Sequence, residues 1–230
     1  PPWQMFADKI THDKQKQTIY YDKAWLKIYD KPVLYFPKFF HPDPTVKRQS
    51  GFLMPSLGSS TNFGSSLNIP YYQVLSENID FTIKPRLYSD QKILLQSEYR
   101  QVNKNSEHLV DFSYLSDSNP TKNHFFSKSS TNLDLQNFDE TQVKLNIQQV
   151  SNETYLKAYK LESPLIQNMD VLSSSLELDT YREDLSFNTS LHVFEDLGVR
   201  SNDRYEFVYP SYMLSKKIKP NIDLNGQLEL

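Results

Sequence analysis

The sequence predicts an all-β protein, and three observations lead to that prediction. After about residue 65, runs of alternating apolar and polar residues follow one another, which is the period-2 pattern of strands with two different faces. The chain has 15 tyrosines and 14 phenylalanines but only 5 glycines. No run approaches the roughly 18 apolar residues that a membrane helix needs. This composition fits either a soluble β-protein or a β-barrel with one face in lipid.

The first fifty residues predict short strands separated by turns, at Trp3–Ile10, Thr18–Tyr21, Lys23–Tyr29 and Val33–Phe36. Their regular spacing favours the last rungs of a stacked β-structure, with the edge of an ordinary sandwich as the alternative. The prolines that follow are expected to end this pattern and to form a stiff connector: Pro37, Pro42 and Pro44.

The same fifty residues are basic. They contain nine Lys and Arg against five Asp, which gives +4, so the other 180 residues carry −7 of the total of −3. This segment is either an ordinary solvated surface or a module that meets anionic head groups or phosphate. The lysines are spaced along strands and match no DNA- or RNA-binding motif, so nucleic acid is not an expected partner.

Two prolines stand at the start of the long β-region. Pro55 precedes it, and Pro70 is expected inside a strand in Ile69-Pro70-Tyr71-Tyr72. Because proline has no N–H to give to a ladder, it belongs at sheet edges or at places built to open. The two prolines therefore predict a weak seam, and simple edge or bulge positions are the alternative.

The long β-region predicts about eleven strands, most of them near the roughly 9–11 residues that cross a bilayer. They follow one another with no helical interlude, and short links alternate with longer ones, as in an up-and-down membrane barrel. Sandwich strands are usually shorter, about 5–6 residues. The pattern therefore favours a membrane barrel over a soluble sandwich, and the last residues predict that it is incomplete.

The sequence predicts no catalytic residue, metal site or cofactor. The histidines are scattered without a helical pair or a neighbouring carboxylate motif: His12, His41, His108, His124 and His192. No glycine-rich phosphate loop and no nucleophile elbow is present, and the chain has no cysteine.

Several stretches, read in order, resemble the family of the LPS-assembly protein LptD, also called organic solvent tolerance protein. They are Ala24-Trp25-Leu26-Lys27-Ile28, Lys31-Pro32-Val33-Leu34-Tyr35-Phe36-Pro37, Lys47-Arg48-Gln49-Ser50-Gly51-Phe52-Leu53-Met54-Pro55, Ile69-Pro70-Tyr71-Tyr72 and Asn78-Ile79-Asp80-Phe81-Thr82-Ile83-Lys84-Pro85-Arg86. The resemblance is specific over residues 20–100. Beyond them, only the barrel-like alternation supports it.

The resemblance implies two domains. Residues 1–46 would be the C-terminal end of a periplasmic β-jellyroll, and residues 47–230 the first strands of a large antiparallel outer-membrane β-barrel. The implied function is to receive lipopolysaccharide from a periplasmic bridge protein and deliver it to the outer leaflet of the outer membrane. A plug lipoprotein would sit inside the barrel, and the family's disulfides join regions outside this sequence.

The resemblance also implies a lateral gate between the first and last barrel strands, weakened by prolines that correspond to Pro55 and Pro70. Lipid export further needs an apolar trough, because each exposed CH₂ costs about 0.8 kcal/mol. The hypothesised inward residues of that trough are Ile10, Ile19, Leu26, Ile28, Val33 and Tyr35, and the polar residues for a wet lumen are Asp80, Lys84, Glu98 and Asp111. Lys47 and Arg48 either contact lipid phosphates or anchor the chain at the membrane surface.

Two other functions fit parts of the pattern. A passive outer-membrane porin or anchor would use the barrel alone, and a soluble β-sandwich that binds glycans would use the alternation alone. The basic segment that leads directly into a proline-weakened strand favours lipid transport, because a porin does not need it.

Overall fold

The computed structural model of the chain describes residues 3–46, 48–60, 64–116, 120–200, 202–218 and 226–229. Nearly all of its regular structure is antiparallel strand, so the all-β prediction is confirmed. The chain divides into two compact units, Pro1–Gly51 and Phe52–Leu230. Assignment of residues 1–46 to the end of a jellyroll stays a prediction. No helix in the described part of the chain is long and apolar enough to cross a membrane.

The first unit is a three-stranded sheet with the order β1-β2-β3. Its strands are β1 (Trp3–Asp13), β2 (Thr18–Ile28) and β3 (Lys31–Pro42). The two strands predicted at Thr18–Tyr21 and Lys23–Tyr29 are one strand. Lys23 has a φ of 52° between them, but the pairing with β1 keeps its register across this residue. A local backbone kink thus does not end a strand whose cross-strand partners continue.

The prediction that the prolines after residue 36 end the β-pattern is wrong for two of them. Pro37 and Pro42 lie within β3, and only Pro44 lies in a turn. β3 is one of the two edge strands of this sheet within the described residues. An edge strand tolerates proline because its outer side has no ladder bond to lose.

The second unit is one antiparallel sheet of thirteen strands. They are β4 (Gly51–Phe52), β5 (Ser56–Ser60), β6 (Gly64–Asn68), β7 (Tyr71–Ser76), β8 (Ile79–Tyr88), β9 (Ile93–Val102), β10 (Ser106–Leu115), β11 (Lys122–Asn132), β12 (Glu140–Val150), β13 (Val171–Arg182), β14 (Leu185–Asp196), β15 (Tyr205–Ile218) and β16 (Gly226–Glu229). Eleven of them begin at or after Gly64, in agreement with the predicted number. From β8 to β16, neighbours in the sheet are neighbours in sequence. Within the described residues β16 forms one edge, and β4 and β5 together form the other.

The prediction of no helical interlude is wrong. Residues 151–170, here called the inserted segment, connect β12 to β13 and contain the short helix α1 (Tyr155–Ala158). Five large side chains of the segment are buried: Tyr155, Leu156, Tyr159, Leu161 and Leu165. They form one cluster with strand residues such as Leu94, Leu115 and Phe126. The buried core of the second unit therefore lies between the sheet and the inserted segment.

Candidate functional site

The leading hairpin, residues 52–76, consists of two interrupted strands. The first is interrupted at Pro55 and the second at Pro70. β5 follows the interruption at Pro55, and β7 follows the one at Pro70. Both β6 and β7 pair with β8, and the register does not shift between them: Asn68 lies opposite Arg86, and Tyr71 lies opposite Ile83. β6 and β7 are therefore two halves of one strand with a break at its centre.

Pro70 thus lies in a break between two short strands, not inside a strand as predicted. The two breaks are next to each other, because the Leu53 N–H donates a hydrogen bond to the Pro70 carbonyl at 2.8 Å. The rings of Phe52 and Tyr71 pack edge to face beside them, with centroids 5.0 Å apart. Pro70 is buried, whereas Pro55 is exposed.

Backbone hydrogen bonds show which neighbour Pro70 faces. The Ser65 carbonyl accepts from the Ser89 N–H at 2.9 Å, and the Ile69 N–H donates to the Pro85 carbonyl at 3.1 Å. Odd-numbered residues of this strand therefore face β8, and even-numbered ones face the first strand of the hairpin. The absent N–H of Pro70 removes a ladder bond between the first and second strands.

Pro55 lies in a stretch without strand pairing. It stands between Leu53, which bonds to the Pro70 carbonyl, and Ser56, which begins β5 opposite Asn68. Within the described residues β5 pairs with β6 alone, so its other side is an open sheet edge. The edge is apolar and exposed, since 85% of Leu57 and 64% of Met54 are accessible. Pro55, which has no N–H to donate, therefore stands directly before this open edge strand.

The sheet has two chemically different faces. On one face, partners across the strands are apolar, as in the rows from Phe112 to Phe125 and from Leu145 through Leu176 to Leu191. Many of these side chains are exposed, with 43% of Phe125 and 47% of Leu176 accessible. The other face carries polar and charged side chains, and several of them are fully buried. This arrangement is the reverse of a water-soluble sheet, in which the apolar face is the covered one.

The polar face is held together by ion pairs and hydrogen bonds between neighbouring strands. Lys84 Nζ lies 2.9 Å from Glu98 Oε2, and Arg100 bridges Glu98 and Asp80, with 2.6 Å between its Nε and Asp80 Oδ1. The predicted lumen residues Asp80, Lys84, Glu98 and Asp111 therefore share one face. The three carboxylates among them are buried and partnered, so they are structural parts of the sheet.

Four side chains from four strands anchor the inserted segment to the polar face. Three of them donate to its backbone carbonyls: Arg86 to Tyr159 at 2.7 Å, Gln96 to Glu162 at 2.8 Å and Gln148 to Leu165 at 2.6 Å. The fourth contact joins the Ser113 and Tyr155 hydroxyls at 2.8 Å. Burial raises the pKa of Tyr155 to about 12, so the phenol stays protonated at neutral pH. The segment is therefore docked by specific polar contacts as well as by its apolar side chains.

The structure also brings together three residues that sequence reasoning left apart. Ser113 Oγ lies 2.6 Å from His124 Nδ1, and His124 Nε2 lies 3.4 Å from Asp111 Oδ1. These are the residue types of a hydrolase triad, but all three are buried beneath the inserted segment. The serine hydroxyl is already bonded to Tyr155. No substrate reaches the serine in this arrangement, which acts as a polar core cluster.

Among the predicted trough residues, Leu26 and Tyr35 lie on opposite faces of the sheet of the first unit. Trp25 and Tyr35 lie opposite each other with ring centroids 4.7 Å apart. Leu26 is the next residue along β2, so it projects from the other face, opposite Met5 and Leu34. Ile10, Val33 and Tyr35 are exposed, Ile19 is half-buried, and Ile28 is the last residue of β2. A lipid trough built from this set stays a prediction.

Of the two predicted phosphate contacts, Lys47 lies outside the described residues. Arg48 lies in the connection between β3 and β4. Their role stays a prediction as well.

Comparison with known proteins gives a consistent family. Residues 19–152 match the sequence model of the family described as LptD protein. The chain is 31% identical over 211 residues to the LPS-assembly protein LptD of Pseudoalteromonas translucida, which covers 86% of this chain and 26% of that protein. The protein of the same name from Legionella pneumophila strain Paris is 27% identical over 224 residues, covering 90% of this chain and 25% of that protein. The one from Nitrosococcus oceani is 38% identical over 101 residues, covering 44% and 14%. The chain therefore spans about a quarter of the length of the first two relatives.

Proposed function

The chain belongs to the LptD protein family, and from that premise we propose that it contributes the opening strands of an outer-membrane barrel that inserts lipopolysaccharide into the outer leaflet. Residues 47–230 are the barrel part of this proposal. Residues 1–46 are the end of a periplasmic jellyroll that hands the lipid to it. The role is transport without catalysis, since the triad-like cluster at Ser113 is closed to substrates.

The two faces of the sheet support a place in the membrane. An exposed apolar face is stable when lipid covers it, and a polar face is stable when it lines a lumen. A soluble glycan-binding sandwich would need a second layer over the apolar face, where Phe125 and Leu176 are exposed among the described residues. A passive porin needs an open lumen, whereas the inserted segment occupies part of the polar face here.

The single observation that carries the proposed gate is the pair of adjacent breaks at Pro55 and Pro70. In lipid, each unmade backbone hydrogen bond costs several kcal/mol, so a fully paired barrel does not separate along a seam. Pro70 removes a bond inside the leading hairpin, and Pro55, which also lacks an N–H, interrupts the first strand directly before its open edge. Both losses lie where acyl chains would have to leave the lumen sideways, which fits a lateral gate between the first and last strands.

The remaining partners follow from the same proposal. The lipid would arrive from a periplasmic bridge protein through the first unit, and a plug lipoprotein would occupy the barrel lumen. Leu26 faces away from Tyr35 in the sheet. The proposed trough still consists of Ile10, Ile19, Leu26, Ile28, Val33 and Tyr35. Lys47 and Arg48 stay the proposed contact with lipid phosphates or the membrane surface.

The test replaces both prolines by alanine in the full-length protein. Pro70→Ala restores a donor within the hairpin, and Pro55→Ala restores one directly before its open edge. We expect the double variant to slow the appearance of newly made lipopolysaccharide at the cell surface, measured by pulse labelling and surface modification.

Pro210→Ala is the matched control, because Pro210 lies where the register between β14 and β15 shifts, away from the leading hairpin. Its delivery rate should equal that of the parent protein. If the double variant delivers lipopolysaccharide as fast as the Pro210→Ala control, the breaks do not control opening and the gate proposal is wrong.

A further inference from the structure

The inserted segment has a second neighbour besides the polar face, namely the connection between β14 and β15. This connection is described at residues 197–200 and 202–204 and ends in a 3₁₀ turn (Asn202–Arg204). β12 and β14 are both antiparallel to β13, so they run in the same direction and end at the same end of the sheet. The segment after β12 and the connection after β14 therefore lie side by side.

Leu197 joins the connection to the segment by packing and by a backbone hydrogen bond. Its side chain belongs to the buried cluster between the segment and the sheet, and only 6% of the residue is accessible. Its N–H donates to the carbonyl of Asp170, the last residue of the segment, at 2.7 Å. Separating the connection from the segment would therefore expose a buried leucine and break a backbone hydrogen bond.

Arg204 adds a charged contact at the far end of the connection. Its Nη2 lies 2.9 Å from Glu195 Oε1 at the end of β14, and its Nη1 lies 4.0 Å from Glu153 Oε2 in the segment. The Tyr205 hydroxyl donates to the same Glu195 oxygen at 3.1 Å. Only 4% of the Glu195 side chain is accessible, so this carboxylate depends on these two donors. Arg204 therefore contacts β14 and the inserted segment from the connection that carries it.

From these contacts we propose that the inserted segment and the β14–β15 connection open together as one lid over the polar face, with Arg204 as its latch. A segment that undocked alone would leave Leu197 without its apolar neighbours and would move Glu153 away from the Arg204 guanidinium. A connection that moved alone would leave Glu195 buried without its cation. Because each partial opening strands such groups, joint opening costs less than the two separate openings together. The opening of this lid requires neither the lateral gate nor a bound lipid, so it is tested separately from the proposed transport.

Hydrogen exchange followed by mass spectrometry, in the full-length protein, shows whether the two parts share one opening. Arg204→Met removes the latch and should speed exchange at least tenfold in residues 197–200 and in residues 151–170, by the same factor in both. Arg182→Met makes the same change in an exposed ion pair at the opposite end of β13. This control should leave both regions unchanged. Peptides from β10 should exchange as in the parent protein in both variants.

Two leucine variants test the same coupling from its apolar side, and coupling between two parts is reciprocal. Leu161→Ala loosens the segment and should also speed exchange in residues 197–200. Leu197→Ala loosens the connection and should also speed exchange in residues 151–170. Faster exchange in the mutated part alone, in either variant, overturns the proposal, as does an Arg204→Met protein whose segment exchanges as slowly as in the parent. If Arg204→Met does not fold, the two leucine variants decide.

Discussion

Replacing Leu161 by alanine should release the inserted segment from the polar face. Leu161 is fully buried in the cluster between the segment and the sheet. Truncating a buried leucine to alanine costs about 2–5 kcal/mol, because the lost contacts leave a cavity. At a cost of about 3 kcal/mol, the population of molecules with an undocked inserted segment rises about 100-fold. The strands beneath keep their own ladders, so the change should stay local.

Hydrogen exchange followed by mass spectrometry measures the release of the inserted segment directly in the full-length protein. Peptides from residues 151–170 should exchange about 100-fold faster in Leu161→Ala, and peptides from β10 and β11 should exchange as before. Leu133→Ala is the control, since 42% of Leu133 is exposed in the connection after β11 and its loss should cost less than about 0.5 kcal/mol. Unchanged exchange in the segment, or equal acceleration in the strands, would refute the idea that the segment docks as a separate unit.

Three further outcomes follow from the same contacts. Burial raises the pKa of Tyr155 from its ordinary value of 10.0 to about 12, so its contribution to stability is complete below pH 10 and is lost as the pH rises to 12. Over that range the free energy of unfolding, followed by thermal denaturation, should fall by about 2–3 kcal/mol, and Tyr155→Phe should not show this fall. Arg100→Met removes one partner each from the buried carboxylates of Asp80 and Glu98, while Glu98 keeps its ion pair with Lys84, and it should cost about 1.5–3 kcal/mol in thermal unfolding. Arg182→Met, which breaks an exposed pair, should cost at most about 1 kcal/mol. Gly64→Ala should lower stability by about 1–2 kcal/mol in the same assay, because Gly64 has a φ of +71° and a Cβ there would lie 2.1 Å from Ser89 Oγ.

The alternation of the strands was readable from the sequence because it is a local pattern. Phe81 and Ile83 alternate with Asp80 and Thr82 wherever the chain is extended, so the two faces follow from the order of residues alone. The proline positions could also be read from the sequence. The neighbouring strand that Pro70 faces could not, because it depends on which strand accepts the hydrogen bond of the Ile69 N–H. The register with β8 fixes that choice.

The inserted segment and the buried cluster escaped prediction for a different reason. Tyr155, Leu156 and Tyr159 have a helical spacing, but α1 is a single turn that is stable only when docked. Its partners, such as Ser113 and Gln96, lie more than 40 residues earlier in the chain. His124 likewise meets Asp111 only through the pairing of β10 with β11. Contacts of this kind depend on the folded topology and have no local pattern.

Both breaks at Pro55 and Pro70 lie at one end of the sheet. β8 pairs with β9 from Ile79 to Leu87 without interruption, whereas its other neighbour is divided into β6, paired over Ser66–Asn68, and β7, paired over Tyr71–Ser76. A break in a central strand would leave backbone N–H and C=O groups unsatisfied on both sides of that strand. In an apolar surrounding each such group costs several kcal/mol. Under the proposed lateral gate, opening of this sheet should therefore begin at the leading hairpin, where the bond lost at Pro70 lowers the cost of separating the first two strands.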